Sequence, residues 1–86
     1  MFTVKWRKKA LNELADLWNS AADRNAVAAA SDIVDDLLRH APLVHGEARG
    51  GTNRLLYEGP LGVLYRVNDA ARRVTVLAVG PSIRSP

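Results

Sequence analysis

Three strand-like runs separated by tight turn signals occupy residues 53–79, and they restrict the fold more than any other feature. Residues 53–58, 61–68 and 73–79 are rich in aliphatic and β-branched side chains, and Gly59-Pro60 and the polar segment 69–72 separate them. Consecutive strands joined by such short turns pair antiparallel. The pattern therefore predicts a three-stranded antiparallel meander that ends at Gly80-Pro81.

The N-terminal half changes from a strand pattern to two helical patterns. Residues 2–6 alternate apolar and polar side chains, which predicts a short strand. Residues 7–22 then predict an amphipathic helix whose apolar face comprises Leu11, Leu14, Ala15 and Trp18. Asp23 is a candidate N-cap for a second helix, which Pro42 ends. The apolar stripe of this second helix comprises Ala30, Ile33, Val34, Leu37, Leu38 and Ala41.

These patterns predict one domain over residues 1–86 with the element order β-α-α-β-β-β. Each amphipathic helix has one apolar face to bury, so we expect a helical hairpin packed on one face of the sheet. The expected fold class is α+β, with an antiparallel sheet made of the meander and the N-terminal strand. The long connection over residues 43–53 is predicted as a glycine-containing loop.

The alternation along residues 61–68 predicts which face of the sheet the helices cover. Val63, Tyr65 and Val67 share one face, and Arg66 belongs to the other. Burial of an unpaired charge is strongly unfavourable. We therefore expect the three apolar side chains to face the helices and Arg66 to lie on the uncovered face.

The uncovered face is predicted to carry further arginines. Arg54 and Arg84 are the candidate neighbours of Arg66 there. An uncovered sheet face with several arginines offers a platform for an anion or a partner chain. The alternative is that Arg66 forms a cross-strand ion pair with Glu58 or Asp69 and has no further role.

The residue composition excludes several classes of site. The chain of 86 residues has no cysteine and only two histidines, which excludes disulfides, thiolate metal sites, cysteine nucleophiles and a three-histidine zinc site. No apolar run approaches the ~20 residues that span a bilayer, and the N-terminus lacks the pattern of a signal peptide. We therefore expect a soluble, cytoplasmic protein that uses neither a metal nor another cofactor.

The formal net charge is +3, and the cations are unevenly distributed. Residues 42–86 contain six arginines and no lysine, which suits bidentate contact with phosphate or carboxylate groups. At the other end of the chain, a basic cluster surrounds the start of the first helix, and it comprises Lys5, Arg7, Lys8 and Lys9. Because cations at a helix N-terminus oppose the helix dipole, this cluster predicts contact with nucleic acid or an acidic partner.

Three segments resemble a known protein family. They are GVLYRVN at residues 62–68, VTVLAVG at residues 74–80, and VKW at residues 4–6 followed by a helix. Together with the predicted element order and the length, they resemble the RelE/ParE superfamily of toxins from type II toxin–antitoxin systems. The resemblance covers nearly the whole chain.

The first expectation is the RelE-like branch of this superfamily, which implies a nuclease. RelE-like members are ribosome-dependent endoribonucleases that cut messenger RNA by attack of a 2′-hydroxyl on the adjacent phosphate. The implied base is Glu47 or His45, although Glu47 and Arg49 are also candidates for a local ion pair that orders the loop. The implied catalytic residues are Glu47, Arg54, Arg66 and Arg84. The implied RNA-binding residues are Lys5, Lys8, Lys9, Arg49 and Arg54.

The other branch implies a protein target. ParE-like members share the fold and poison DNA gyrase without the ribonuclease residues. Gly62 stands where RelE-like nucleases place an arginine, and residues 81–86 offer neither tyrosine nor histidine as an acid or base. A third alternative is a degenerate member that acts only as a binding module. All three imply a cognate antitoxin as partner, none implies a membrane, and homodimerisation is left open.

Overall fold

The chain folds into a five-stranded sheet with a helical hairpin against one face. The computed structural model describes residues 1–82. The elements in this range are β1 (Thr3–Trp6), α1 (Lys8–Ser20), α2 (Arg24–His40), β2 (Glu47–Ala48), β3 (Asn53–Glu58), β4 (Leu61–Asn68) and β5 (Arg73–Pro81). The strand order across the sheet is β1-β5-β4-β3-β2.

The predicted α+β fold and element order are confirmed, with two corrections. Residues 43–53, predicted as a loop, contain the short strand β2, which pairs antiparallel with β3. The sheet was predicted to be antiparallel throughout and is mixed instead, because β1 runs parallel to β5. These two strands come from opposite ends of the chain, so no turn between them fixes their relative direction. Hydrophobic periodicity does not reveal that direction either.

The first helix presents a different face to the core from the predicted one. Ala10 is fully buried, and Leu14 and Leu17 pack against the core. Leu11 and Trp18, predicted on the buried face, are 50% and 41% exposed. The helix carries two overlapping apolar stripes that share Leu14, and the helical period fits both of them. The stripe with the small side chain of Ala10 is the one that allows close approach to the sheet.

The second helix begins and ends as predicted. Asp23 is its N-cap, and the Asp23 carboxylate accepts a hydrogen bond of 3.0 Å from the backbone amide of Ala26. The helix ends two residues before Pro42. Its buried residues are Val27, Ala30, Val34 and Leu38, whereas Ile33 is 45% exposed. Within residues 1–82, neither helix is long and apolar enough to cross a membrane.

Strand β4 lies in the interior of the sheet, between β3 and β5. Val63, Tyr65 and Val67 are buried in the core that the helices cover. Arg66 is exposed on the opposite side. The predicted orientation of this strand is therefore confirmed.

Strand β5 contains a β-bulge that keeps three valines in the core. Val74, Val76 and Val79 are buried, although their spacing changes from two residues to three. Tyr65 of β4 pairs with Val76, but Leu64 pairs with Ala78, so one additional residue of β5 is accommodated between these pairs. Such a bulge resets the alternation of side chains between the two faces.

Candidate functional site

The sheet surface away from the helices, here called the open face, is organised in rows that cross the strands. Directly paired residues on neighbouring strands point to the same side of a sheet. The strand register therefore assigns the following residues to the open face: Thr3, Lys5, Glu47, Asn53, Leu55, Tyr57, Gly62, Leu64, Arg66, Asn68, Arg73, Thr75, Ala78 and Gly80. One row, the polar row, consists of Lys5, Thr75, Arg66 and Asn53. The next, the aliphatic row, consists of Ala78, Leu64 and Leu55.

Arg66 is the exposed cation at the centre of the polar row. Within residues 1–82, no carboxylate forms an ion pair with it. Glu58 pairs in register with the buried residue Leu61, on the helix-covered side, and Asp69 pairs with Arg72 at 3.2 Å. The alternative ion pair of Arg66 with Glu58 or Asp69 therefore does not form, and its guanidinium is available to a partner.

Arg54 does not lie on the open face, which corrects the prediction that it neighbours Arg66 there. It is directly opposite Tyr65, on the side that the helices cover. Its Nε donates to the carbonyl oxygen of His45 at 3.3 Å, and its Nη2 donates to that of Gly46 at 3.0 Å. The two-residue turn between β3 and β4 fixes this register. The Arg54 guanidinium is therefore hydrogen-bonded to the backbone of its own chain.

Tyr65 and Arg54 together fix the loop that precedes β2, and we call this pair the loop anchor. The fully buried Tyr65 directs its hydroxyl to the carbonyl oxygens of His45 at 2.6 Å and Pro42 at 2.8 Å. Burial raises the pKa of this hydroxyl, while the Arg54 guanidinium opposes the shift, so Tyr65 remains a hydrogen-bond donor. Gly46 has φ +78°, and a Cβ there would lie 2.6 Å from the Tyr65 oxygen. The anchor thus requires glycine at this position.

Glu47 and Arg49 form the predicted local ion pair at the edge of the sheet. The Arg49 Nη2 atom lies 3.1 Å from the Glu47 Oε2 atom. Both side chains are well exposed, and Glu47 pairs in register with Leu55, next to the aliphatic row. The Glu47 carboxylate is therefore engaged by a guanidinium two residues along its own chain.

Of the predicted RNA-binding lysines, the strand register places Lys5 on the open face with Arg66. Lys5 lies in the polar row, whereas Lys8 and Lys9 lie in the first turn of α1. The Nζ atom of Lys9 is 3.1 Å from the carboxylate of Glu13. Arg84, the remaining predicted catalytic residue, lies outside the described residues.

Glu13 has a structural contact that the sequence analysis did not identify. Its Oε1 atom accepts a 3.0 Å hydrogen bond from the backbone amide of Val79 in β5. The register of β1 along β5 ends at the pair Trp6–Val76, so this amide lies beyond the end of β1. The hydrogen bond from Val79, assisted by Lys9, lowers the pKa of Glu13. The one sequence signal for this contact is that the predicted first strand is shorter than the last. Backbone amides of the last strand beyond that point then need another acceptor.

The described groups are poorly arranged for cleavage of a phosphodiester. Attack by a 2′-hydroxyl needs a base, an acid and several cations that converge on one phosphate. Here Arg54 faces the helix side, Glu47 is paired with Arg49, and Arg66 adjoins leucines on the open face. Residues 1–82 also contain no cluster of side chains suited to hold a metal ion. The open face is better suited to an interface than to acid–base chemistry.

Comparison with protein families identifies the class of this chain. Residues 4–86 match the model of the ParE toxin of type II toxin–antitoxin systems. The chain therefore belongs to this toxin family, within the RelE/ParE superfamily that the sequence resembles. A comparison with curated protein sequences finds no match.

Solved structures support the same fold. The chain is similar to the RelBE2 toxin–antitoxin complex from Mycobacterium tuberculosis, with 26% identity, a TM-score of 0.74 and coverage of 94% of this chain and 98% of that one. It is similar to the isolated RelE toxin from E. coli, with 18% identity, a TM-score of 0.69 and coverage of 99% and 88%. It is also similar to the chromosomal ParDE system from P. aeruginosa, with 20% identity, a TM-score of 0.68 and coverage of 94% and 96%.

Proposed function

We propose that this type II toxin arrests growth by binding a protein target, DNA gyrase, and that it does not cut messenger RNA. The observation that carries the proposal is the orientation of Arg54, which is bonded to the carbonyl oxygens of His45 and Gly46 on the helix side of the sheet. The nuclease alternative assigns Arg54 and Arg66 to one phosphate, which requires both guanidinium groups on the same face of the sheet. The match to the ParE toxin family supports the same branch of the superfamily.

The open face adds a second argument against phosphate chemistry. Its aliphatic row contains Leu55 and Leu64, which do not stabilise the charge that develops on a phosphate. Gly62, also on this face, occupies the position at which the RelE-like branch is expected to carry an arginine. A surface of this composition suits the polar rim and apolar centre of a protein interface.

A cognate antitoxin is part of the proposal. The similar structures from Mycobacterium tuberculosis and Pyrococcus horikoshii are complexes of a toxin with its antitoxin. We propose that this chain is likewise held inactive by a partner encoded with it. The proposal includes a cytoplasmic location, since gyrase and the antitoxin both act there.

Cleavage of messenger RNA on the ribosome is the second candidate function. The exposed guanidinium of Arg66, which has no ion-pair partner within residues 1–82 and lies in one row with Lys5, favours it, because cations of this kind hold phosphates. This candidate requires the missing base and cations to come from residues beyond 82 or from the ribosome.

The two functions are separated by two assays on the same purified toxin. The first assay follows the conversion of relaxed plasmid to the supercoiled form by gyrase at increasing toxin concentrations. We expect the toxin to inhibit this supercoiling. In the second, primer extension on a messenger RNA follows cleavage in a cell-free translation reaction, and we expect intact RNA. Normal supercoiling together with RNA cut at ribosome-bound codons would contradict the proposal and establish the second candidate.

A further inference from the structure

The centre of the open face combines an aliphatic surface with an adjacent cation. Leu55, Leu64 and Ala78 lie directly across three neighbouring strands, and each is only half-buried. Arg66 follows Leu64 by two residues on the same face, a separation of about 7 Å along a strand. A ligand that covers the aliphatic row can therefore reach the guanidinium of Arg66 with a group of opposite charge.

The charges of the open face are almost all positive. Lys5, Arg66 and Arg73 project from three neighbouring strands, and no carboxylate within residues 1–82 forms an ion pair with any of them. Glu47 is the one carboxylate that the register places on the open face within residues 1–82, and it forms an ion pair with Arg49 at the edge of the sheet. The face therefore presents uncompensated cations around an apolar centre, and an acidic partner complements it.

The side chains of this face distinguish a protein segment from RNA. Proteins hold single-stranded RNA by stacking its bases on aromatic side chains or arginine planes, together with phosphate contacts. The aliphatic row has no aromatic side chain, and Tyr57 is the one aromatic residue that the register places on the open face within residues 1–82. Leucines instead provide the apolar contact that aliphatic side chains of a protein supply.

We propose that the open face binds an acidic, aliphatic segment of the toxin's protein target. An aliphatic side chain of that segment covers Leu55 and Leu64, and a carboxylate about 7 Å away pairs with Arg66. Lys5 and Arg73 attract the segment through longer-range charge. This inference rests on the proposed function, because it assigns the surface through which the toxin contacts gyrase.

The test measures binding of purified gyrase A and gyrase B subunits to immobilised toxin, with four matched variants. Leu64→Asp and Arg66→Gln change the open face. Ile33→Asp and Arg39→Gln change an exposed apolar residue and an exposed arginine on α2, on the other side of the sheet. Circular dichroism and the thermal unfolding midpoint of each variant establish that it is folded.

We expect Arg66→Gln to weaken gyrase binding at least about tenfold, and Leu64→Asp to weaken it more, as for residues at the centre of an interface. Ile33→Asp and Arg39→Gln should bind within about twofold of the wild type, as expected for positions outside the interface. Affinity should fall with added salt for the wild type and less steeply for Arg66→Gln, because one charge contact is missing. Folded Leu64→Asp and Arg66→Gln variants that bind like the wild type would overturn the inference.

Failure of the proposed function gives a different result. If the wild-type toxin neither binds gyrase nor inhibits supercoiling, the gyrase target is wrong, and growth arrest by the same four variants then tests the surface. Loss of arrest only in the two open-face variants, with no binding of an oligouridine probe, supports an acidic protein segment as the ligand. The inference of an acidic protein ligand is overturned if the wild type binds oligouridine and Arg66→Gln abolishes that binding. It is also overturned if all four variants arrest growth equally.

Discussion

The two faces of the sheet use the same residue type for opposite purposes. Arg54, on the helix side, donates hydrogen bonds from its guanidinium to two backbone carbonyl oxygens of its own chain. Arg66, on the open face, has no ion-pair partner within residues 1–82. The two arginines lie on neighbouring strands, and only the strand register separates their roles. The face of the sheet on which an arginine lies therefore decides whether its guanidinium can bind an external ligand.

Removal of the Tyr65 side chain should have the largest effect on stability. Tyr65→Ala leaves a cavity in the core and removes the hydroxyl that binds His45 and Pro42, so we expect a loss of about 3–5 kcal/mol in the free energy of unfolding. Urea denaturation measures it. Tyr65→Phe, which retains the ring, should cost only about 1–2 kcal/mol. Equal costs for both variants would mean that the hydroxyl, rather than the ring, dominates this side of the sheet.

Arg54 should be the next most important residue for stability. Arg54→Ala removes two charge-assisted hydrogen bonds to the loop before β2, and we expect a loss of about 2 kcal/mol. Hydrogen exchange should show faster exchange in residues 42–48, since the loop anchor is broken. Arg54→Lys should recover only part of the loss, because an ammonium group lacks the bidentate geometry of a guanidinium. A stable Arg54→Ala variant with an unchanged loop would contradict the structural role of this arginine.

Glu13 should make stability depend on pH in the acidic range. The hydrogen bond from Val79 lowers its pKa in the folded protein below the ordinary value of 4.5. A lowered pKa contributes stability that is present above the unfolded value and is lost as the pH falls through the folded value. Urea midpoints should therefore decrease as the pH falls below about 4.5. Glu13→Gln retains an acceptor for the Val79 amide and should weaken this dependence; an identical pH profile would exclude the role of Glu13.

Arg66 should contribute least to stability. Its side chain is exposed and lacks an ion-pair partner within residues 1–82, so Arg66→Ala should change the free energy of unfolding by no more than about 0.5 kcal/mol. Urea denaturation beside Arg54→Ala gives the comparison directly. A loss as large as that of Arg54→Ala would remove the distinction between the two faces.

Much of this distinction between Arg54 and Arg66 could be predicted from the sequence by counting residues outward from one turn. The two-residue turn Gly59-Pro60 places Glu58 opposite Leu61, and counting back along both strands places Arg54 opposite Tyr65. The apolar alternation assigned Tyr65 to the helix side correctly, so Arg54 had to share that side. The prediction that Arg54 lies on the uncovered face did not combine these two constraints.

Other features depend on contacts that no local pattern contains. Glu13 and Val79 are 66 residues apart in sequence, and their hydrogen bond exists only because β1 ends before β5 does. The parallel direction of β1 and the carbonyl acceptors of the loop anchor arise in the same way from the tertiary arrangement. By contrast, the N-cap at Asp23 and the ion pair of Glu47 with Arg49 are local, and the sequence predicted both.

Pulse labelling after induction of the toxin alone shows whether the toxin acts through a protein interface on gyrase, as proposed. Incorporation of labelled thymidine and labelled methionine is followed in the same culture. If gyrase is the target, thymidine incorporation falls first while methionine incorporation continues. Prompt loss of methionine incorporation with continued thymidine incorporation would contradict the gyrase proposal and would identify translation as the process that the toxin blocks.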